Sequence, residues 1–186
     1  MKNILNENIR NLTELADNSD FHLRVEAAIS VISEALKLNL PVLVFGNGGS
    51  ASDALHISGE LVGKFNTERR GLNVICLNAN VAVLTAWSND VSYETVFARQ
   101  VESHGLTGGI VWGLSTSGNS LSVIKGFEMA NKLGMTSIAM TGRGGGKCSS
   151  QVNILLDVPS KVTPRIQELH LPIYHYMCAE IEKNLA

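Results

Sequence analysis

Five short runs of apolar residues punctuate this chain: Val42-Leu-Val-Phe45, Val74-Ile-Cys-Leu77, Ile110-Val-Trp-Gly-Leu114, Ser137-Ile-Ala-Met140 and Ile154-Leu-Leu-Asp-Val158. They are continuous rather than alternating, which is the mark of strands buried on both faces. Between them the apolar period lengthens to that of a helix, over about residues 51–64, 79–88, 93–103, 120–133 and 164–184. Strand, helix, strand at this rhythm predicts right-handed crossovers and a parallel, doubly wound α/β sheet.

Two helical patterns precede the first strand. Ile4, Leu5, Ile9, Leu12, Leu15 and Ala16 form one; Asp20 reads as the N-cap of the next, which carries Phe21, Val25, Ala28, Val31, Ile32, Ala35 and Leu36. No linker, repeat or low-complexity tract divides the chain, so residues 1–186 read as a single domain. The helical pair over residues 1–40 either covers the sheet or makes oligomer contacts.

Composition narrows the classes further. A hydrophobic fraction of 45% with 17% charged residues belongs to a packed globular protein. A formal charge of −2 gives no reason to expect nucleic acid or an anionic membrane as partner. No apolar run approaches the roughly 20 residues of a membrane span, and the acid-bearing start does not read as a signal peptide. Three cysteines, Cys76, Cys148 and Cys178, show no paired spacing, which points to reduced thiols and a cytoplasmic location.

In an open parallel sheet, ligands sit beyond the carboxyl ends of the strands. The loop after the third run, Ser115-Thr-Ser-Gly-Asn-Ser120, brings four hydroxyls and a glycine to a helix N-terminus, a setting suited to a dianionic phosphate. Ser120 could equally be an ordinary N-cap. The loop after the first run, Gly46-Asn-Gly-Gly-Ser50, lets backbone approach a ligand, but no P-loop lysine follows and Ala51 stands where a dinucleotide motif needs its third glycine. Gly142-Arg-Gly-Gly-Gly-Lys147 only mimics a P-loop and reads as a flexible turn.

His56 and Glu60 lie at i and i+4 of the helix behind the first loop and share a face, as a surface ion pair or as part of a site. In the last helix Gln167, Leu171 and His175 step by four, while Glu168 and His170 lie elsewhere on the cylinder. Pro172 removes the bond to the Glu168 carbonyl and predicts a kink between Gln167 and His175.

Four blocks together resemble the phosphoheptose isomerase branch of the sugar-isomerase (SIS) domain family: Gly46 to His56 with Glu60, Ser88-Asn-Asp90, Ser115 to Ser120, and Arg165 to His170 with His175. The resemblance covers nearly the whole chain. It implies a flavodoxin-like three-layer α/β/α sandwich with a central five-stranded parallel sheet, assembled as a homotetramer with active sites between subunits. The activity it implies is conversion of sedoheptulose 7-phosphate to D-glycero-D-manno-heptose 7-phosphate through an enediol, for lipopolysaccharide or capsule. By match to the family motifs, Asn47, Gly48, Gly49, Glu60, Asn89, Asp90 and Gln167 would contact substrate. Ser115, Thr116, Ser117 and Ser120 would hold its phosphate. His56, Glu60, Gln167 and His175 match a divalent metal site, usually zinc, one per subunit, and Glu60 and His175 match the acid/base pair.

Pro164 departs from the family, since some relatives carry an aspartate there. Another branch, a tetrameric adaptor of the bacterial replication initiator, is similar through Val83-Leu-Thr-Ala86 and Asn89-Asp90 but lacks counterparts of Glu60 and His175. Their presence here favours the enzyme.

Overall fold

The computed structural model describes residues 1–185. Its five strands are β1 (Val42–Gly46), β2 (Val74–Cys76), β3 (Ile110–Ser115), β4 (Thr136–Thr141) and β5 (Ile154–Asp157). All neighbours pair in parallel, in the order β2-β1-β3-β4-β5. That order reverses between β1 and β3, which makes the crevice above those two strands the topological switch point of a flavodoxin-like sheet.

The helices are α1 (Lys2–Ala16), α2 (Ser19–Lys37), α3 (Gly49–Val62), α4 (Val81–Asp90), α5 (Val96–His104), α6 (Leu121–Lys132) and α7 (Thr163–Leu185). They cover the sheet on both sides. Alternate residues of each strand feed two cores, as the pleat requires. Val44, Trp112 and Ile138 face Ile32, Leu36, Ile57, Tyr174 and Met177 of α2, α3 and α7. On the other side Leu43, Phe45, Val111 and Ala139 face Phe97 and Phe127 of α5 and α6. Phe45 anchors that second core, with ring centroids 5.0 Å from Phe97 and 5.8 Å from Phe127.

Three sequence expectations are corrected. The N-cap of α2 is Asn18, whose side chain accepts from Phe21 N at 3.0 Å; Asp20 lies inside the first turn and pairs with Arg24 instead. The predicted helix over 93–103 begins as a 3-10 turn, Tyr93–Thr95, and becomes α-helical only at Val96. The glycine run 142–147 is a packed element rather than a flexible turn: Cys148 N donates to Gly118 O at 2.9 Å and Lys147 N to Asn119 Oδ1 at 3.1 Å. It forms the outer wall of the 115–120 loop.

α7 runs through Pro172 without a break. The lost Glu168 carbonyl bond falls on an exposed turn, where water can take its place. α1 buries only Leu15 and turns Ile4, Leu5, Ile9 and Leu12 outward. α2, by contrast, buries a full apolar stripe against β5 and α7.

Candidate active site

Two loops and two helix faces meet at the carboxyl ends of β1 and β3. The β1 loop is held from below by Asn78, at the end of β2. Its carboxamide accepts from Gly46 N (3.1 Å) and donates to Gly46 O (2.8 Å), continuing the strand pairing past the last residue of β2. Asn78 is a positioning residue that sequence reading passed over, because a lone asparagine after a strand carries no motif of its own.

Above Gly46, Asn47 joins three segments. Its Nδ2 donates to Ser122 Oγ at 2.9 Å, tying the β1 loop to the first turn of α6. Its Oδ1 accepts from the Tyr93 hydroxyl at 2.5 Å. The Asn47 side chain is thereby engaged within the protein, and Gly48 and Gly49 present backbone next to it. Gly48, at φ +58°, caps α3 without any side-chain bond. Gly49 lies directly against Gln167: a Cβ there would stand 2.9 Å from the carboxamide Cδ and push that side chain aside.

The β3 loop has the form expected of an anion cradle. Ser120 occupies the N-cap position of α6, yet its hydroxyl makes no capping bond and instead accepts from Ser115 Oγ at 3.2 Å. Val123 N and Ile124 N donate to Ser120 O, which leaves the Leu121 and Ser122 N–H groups at the start of α6 available. Asn119 N donates to Ser117 Oγ at 3.1 Å, which folds the loop back on itself. Thr116 and Ser117 also line a cavity with Arg143 and Lys161 on the side of the glycine-rich wall.

α3 and α7 run side by side and supply the proton-active groups. His56 Nε2 lies 3.0 Å from Glu60 Oε1 and 3.4 Å from His175 Nε2. The ligating atoms of all three residues fall within 4.8 Å of one another. His56 is 42% exposed and Glu60 22%, so the trio is open to a small ligand. Behind it, His56 Nδ1 meets the Tyr174 hydroxyl at 3.0 Å, and that hydroxyl lies 3.5 Å from Asp53 Oδ1. Burial raises the Asp53 carboxyl above its usual range, partly offset by Tyr174 and His56. Burial and the Asp53 carboxylate likewise push the Tyr174 hydroxyl up.

With Tyr174 engaging Nδ1, the free Nε2 of His56 is directed at a carboxylate oxygen and at a second imidazole nitrogen. Such a convergence of acceptors calls for a proton or a cation among them. The separations also suit a metal. Ligands about 2.0–2.1 Å from a tetrahedral ion stand about 3.3 Å apart, close to the 3.0 and 3.4 Å found here. Two imidazoles and a carboxylate are ordinary zinc donors.

Other sequence-expected residues make no hydrogen bond to the trio among the described residues. Gln167 sits against Gly49, near the start of α3, and no hydrogen bond ties it to the trio among the described residues. Asn89 and Asp90 end α4, exposed and bonded to each other at 2.8 Å. Pro164 is exposed in the first turn of α7. Glu168 and His170 point elsewhere as expected: Glu168 pairs with Arg165 and Asn8, and His170 is buried against Thr141 O. Asp53 and Tyr174 were not anticipated, although Asp53, His56 and Glu60 share one helical face by spacing alone.

Comparison with known proteins identifies the family and the fold. The family model of the SIS domain matches residues 6–142. A phosphoheptose isomerase from Crocosphaera subtropica is 46% identical over 175 residues, covering 94% of this chain and 89% of its own. Among solved structures, a phosphoheptose isomerase from Francisella tularensis superposes with a TM-score of 0.93 at 32% identity, covering 98% of this chain and 96% of that one. One from Neisseria gonorrhoeae gives 0.89 at 34% identity, with the same coverage.

Proposed function

The chain belongs to the SIS-domain family and, within it, to the phosphoheptose isomerases, and on that premise we propose that it interconverts D-sedoheptulose 7-phosphate and D-glycero-D-manno-heptose 7-phosphate. The observation that carries this reading is the convergence of His56, Glu60 and His175 beside a hydroxyl-rich helix N-terminus.

The ketose-to-aldose step moves one proton from C1 and returns one at C2. As a base takes the C1 proton, the carbonyl oxygen at C2 gains one, giving an enediol. Loss of the O1 proton with protonation at C2 then gives the aldehyde. Glu60 and His175 lie on opposite helices within 4.8 Å of each other, a span that serves adjacent carbons. Glu60 turns Oε1 toward His56, which leaves Oε2 for the substrate proton. Ser115, Thr116, Ser117, Ser120 and the first turn of α6 hold the phosphate, fixing the distance from phosphorus to the reacting carbons. Asn47, Gly48, Gly49, Asn89, Asp90 and Gln167 are assigned to the sugar. A divalent ion, zinc in this reading, held by His56, Glu60 and His175 with Gln167, supplies Lewis-acid polarisation of the carbonyl oxygen.

We further propose a homotetramer with sites completed between subunits. Support comes from the outward apolar face of α1 and the groove it forms with α2 and α7, lined by Leu12, Phe21, Val25, Ile173 and Tyr176. α4, which carries Asn89 and Asp90, buries no residue within one chain. No described helix is long and apolar enough to cross a membrane, in keeping with a cytoplasmic step that feeds heptose to lipopolysaccharide or capsule.

Turnover of sedoheptulose 7-phosphate, with and without a chelator, tests the assignment. Glu60→Gln and His175→Ala are each expected to lower kcat by about 100-fold or more. No aldose product from the wild type, or full activity in both variants, overturns it.

A further inference from the structure

Glu60 stands on the last turn of α3, which ends at Val62. Helix ends fray because their final carbonyls lack partners, and Gly59 beside it lowers helix propensity further. An acid/base carboxylate placed there needs an external support. After α3 the chain runs through residues 63–73 without regular structure before β2 begins.

That strap is wound around one carboxylate from α7. Glu182, 2% exposed, accepts from three successive backbone groups: Phe65 N at 3.1 Å, Asn66 N at 2.7 Å and Thr67 N at 3.0 Å. The strap returns a guanidinium: Arg69, 5% exposed, brings Nε within 3.1 Å of Glu182 Oε1. That contact is off-line for a hydrogen bond, and the directed bonds of Arg69 go to carbonyls. They reach Glu60 O at 2.9 Å, Gly63 O at 3.2 Å and Arg70 O at 3.1 Å. Arg69 thus caps the α3 C-terminus, where a cation also suits the helix dipole.

Glu182 lies seven residues beyond His175, so the two share a face of α7. The same strap sets the Phe65 ring 5.7 Å from the His175 ring. One buried ion pair therefore joins the helix of Glu60 to the helix of His175 and walls the site between them.

We propose that Arg69 and Glu182 are positioning residues for the isomerase reaction, holding Glu60 in register with His56 and His175. The inference rests on the isomerase reading above. A buried pair of this kind contributes little net stability against an apolar substitute, whereas its geometry determines where the carboxylate of Glu60 stands.

The test uses Glu182→Gln and Arg69→Lys in the full-length protein, at a temperature where circular dichroism shows each folded. Lys183→Gln, an exposed neighbour on α7, serves as control. Glu182→Gln is expected to lower kcat by about 10-fold or more through misplacement of the acid/base pair, with KM for sedoheptulose 7-phosphate changed less than about 2-fold because the phosphate loop is untouched. Zinc affinity should fall by about 10- to 100-fold, and the visible spectrum of bound cobalt(II) should change shape. Arg69→Lys, which keeps the charge but loses the fork, should shift both readouts in the same direction.

A lower melting temperature with wild-type kcat, zinc affinity and cobalt spectrum would show a purely structural pair and overturn the proposal. Should Glu182→Gln not fold, wild-type kcat and spectrum in Arg69→Lys overturn it equally. If the wild type turns over no sedoheptulose 7-phosphate, the isomerase reading fails, while zinc affinity and the cobalt spectrum still decide whether the pair positions the trio.

Discussion

His170 makes the stability of this protein sensitive to mild acid. It lies on α7 between Gln167 and His175, fully buried, with Nε2 donating to Thr141 O at 3.2 Å and Nδ1 without a partner. Burial pushes its pKa down to about 4, against a weaker upward pull from the Thr141 bond. A histidine in the unfolded chain titrates near 6.5. The unfolded state therefore takes the proton first, and stability is whole above about pH 6.5 and falls as the pH drops toward about 4. From those two values the loss between pH 7 and pH 5 comes to about 2 kcal/mol. Urea unfolding followed by circular dichroism at pH 7, 6 and 5 measures it, with His170→Gln as reference. Glutamine keeps a donor toward Thr141 O and does not titrate, so carboxylate contributions common to both proteins cancel. Wild type should lose about 2 kcal/mol more than the variant over that range. Parallel losses in the two proteins would refute the reasoning.

Asn78→Ala removes both bonds to Gly46; a loss of about 2 kcal/mol in urea unfolding and a raised KM are expected. Gly118 has φ +64°, and a Cβ there would collide with the Gly145 carbonyl and lie 2.9 Å from Gly146 N. Gly118→Ala should cost about 3 kcal/mol and raise KM for the phosphorylated substrate while leaving zinc affinity unchanged, as titration would show. Ile9→Glu places a charge on the outward face of α1; light scattering after size exclusion should report a smaller assembly, and turnover should fall with it.

Much of the fold is legible in the sequence because each strand is a continuous apolar run. The apolar centre of each run marks its strand, and the observed limits differ from the runs by a residue or two, mostly where Ser, Thr or Asp stands at an end. The helical limits are less legible where side chains compete for the same role. Asn18 and Asp20 both resemble caps, and only the backbone shows that Asn18 accepts from Phe21 N. The glycine run 142–147 misleads because composition alone signals freedom. Here the glycines permit backbone to pack on backbone, and the wall they form is rigidly tied. In the site, His56, Glu60 and His175 carry recognisable chemistry and spacing, whereas Asp53 and Tyr174 become visible only when α3 and α7 are laid together. Arg69 and Glu182 are hidden for the same reason, since 113 residues separate two ends of one contact.

The two halves of the site are held by different physical means, and this separates what perturbations should do. The end proposed to hold phosphate is built from the β3 loop and the first turn of α6 at the switch point, with the glycine wall behind it. Its geometry follows from sheet register, so damage there moves substrate binding. The end proposed for proton transfer stands on side chains of two helices, one of which ends just beyond Glu60. Its geometry follows from the spacing of α3 and α7, which is set at one end by Gln167 against Gly49 and at the other by Glu182 around the strap. The sheet reaches that spacing through the core beneath α3 and α7 and through the His170–Thr141 bond, while the Asn47–Ser122 bond ties the β1 loop to α6. Changes at Gly118 should accordingly appear in KM and changes at Glu182 in kcat. Asn47→Ala, which severs the tie between the β1 loop that opens α3 and the first turn of α6, should move both.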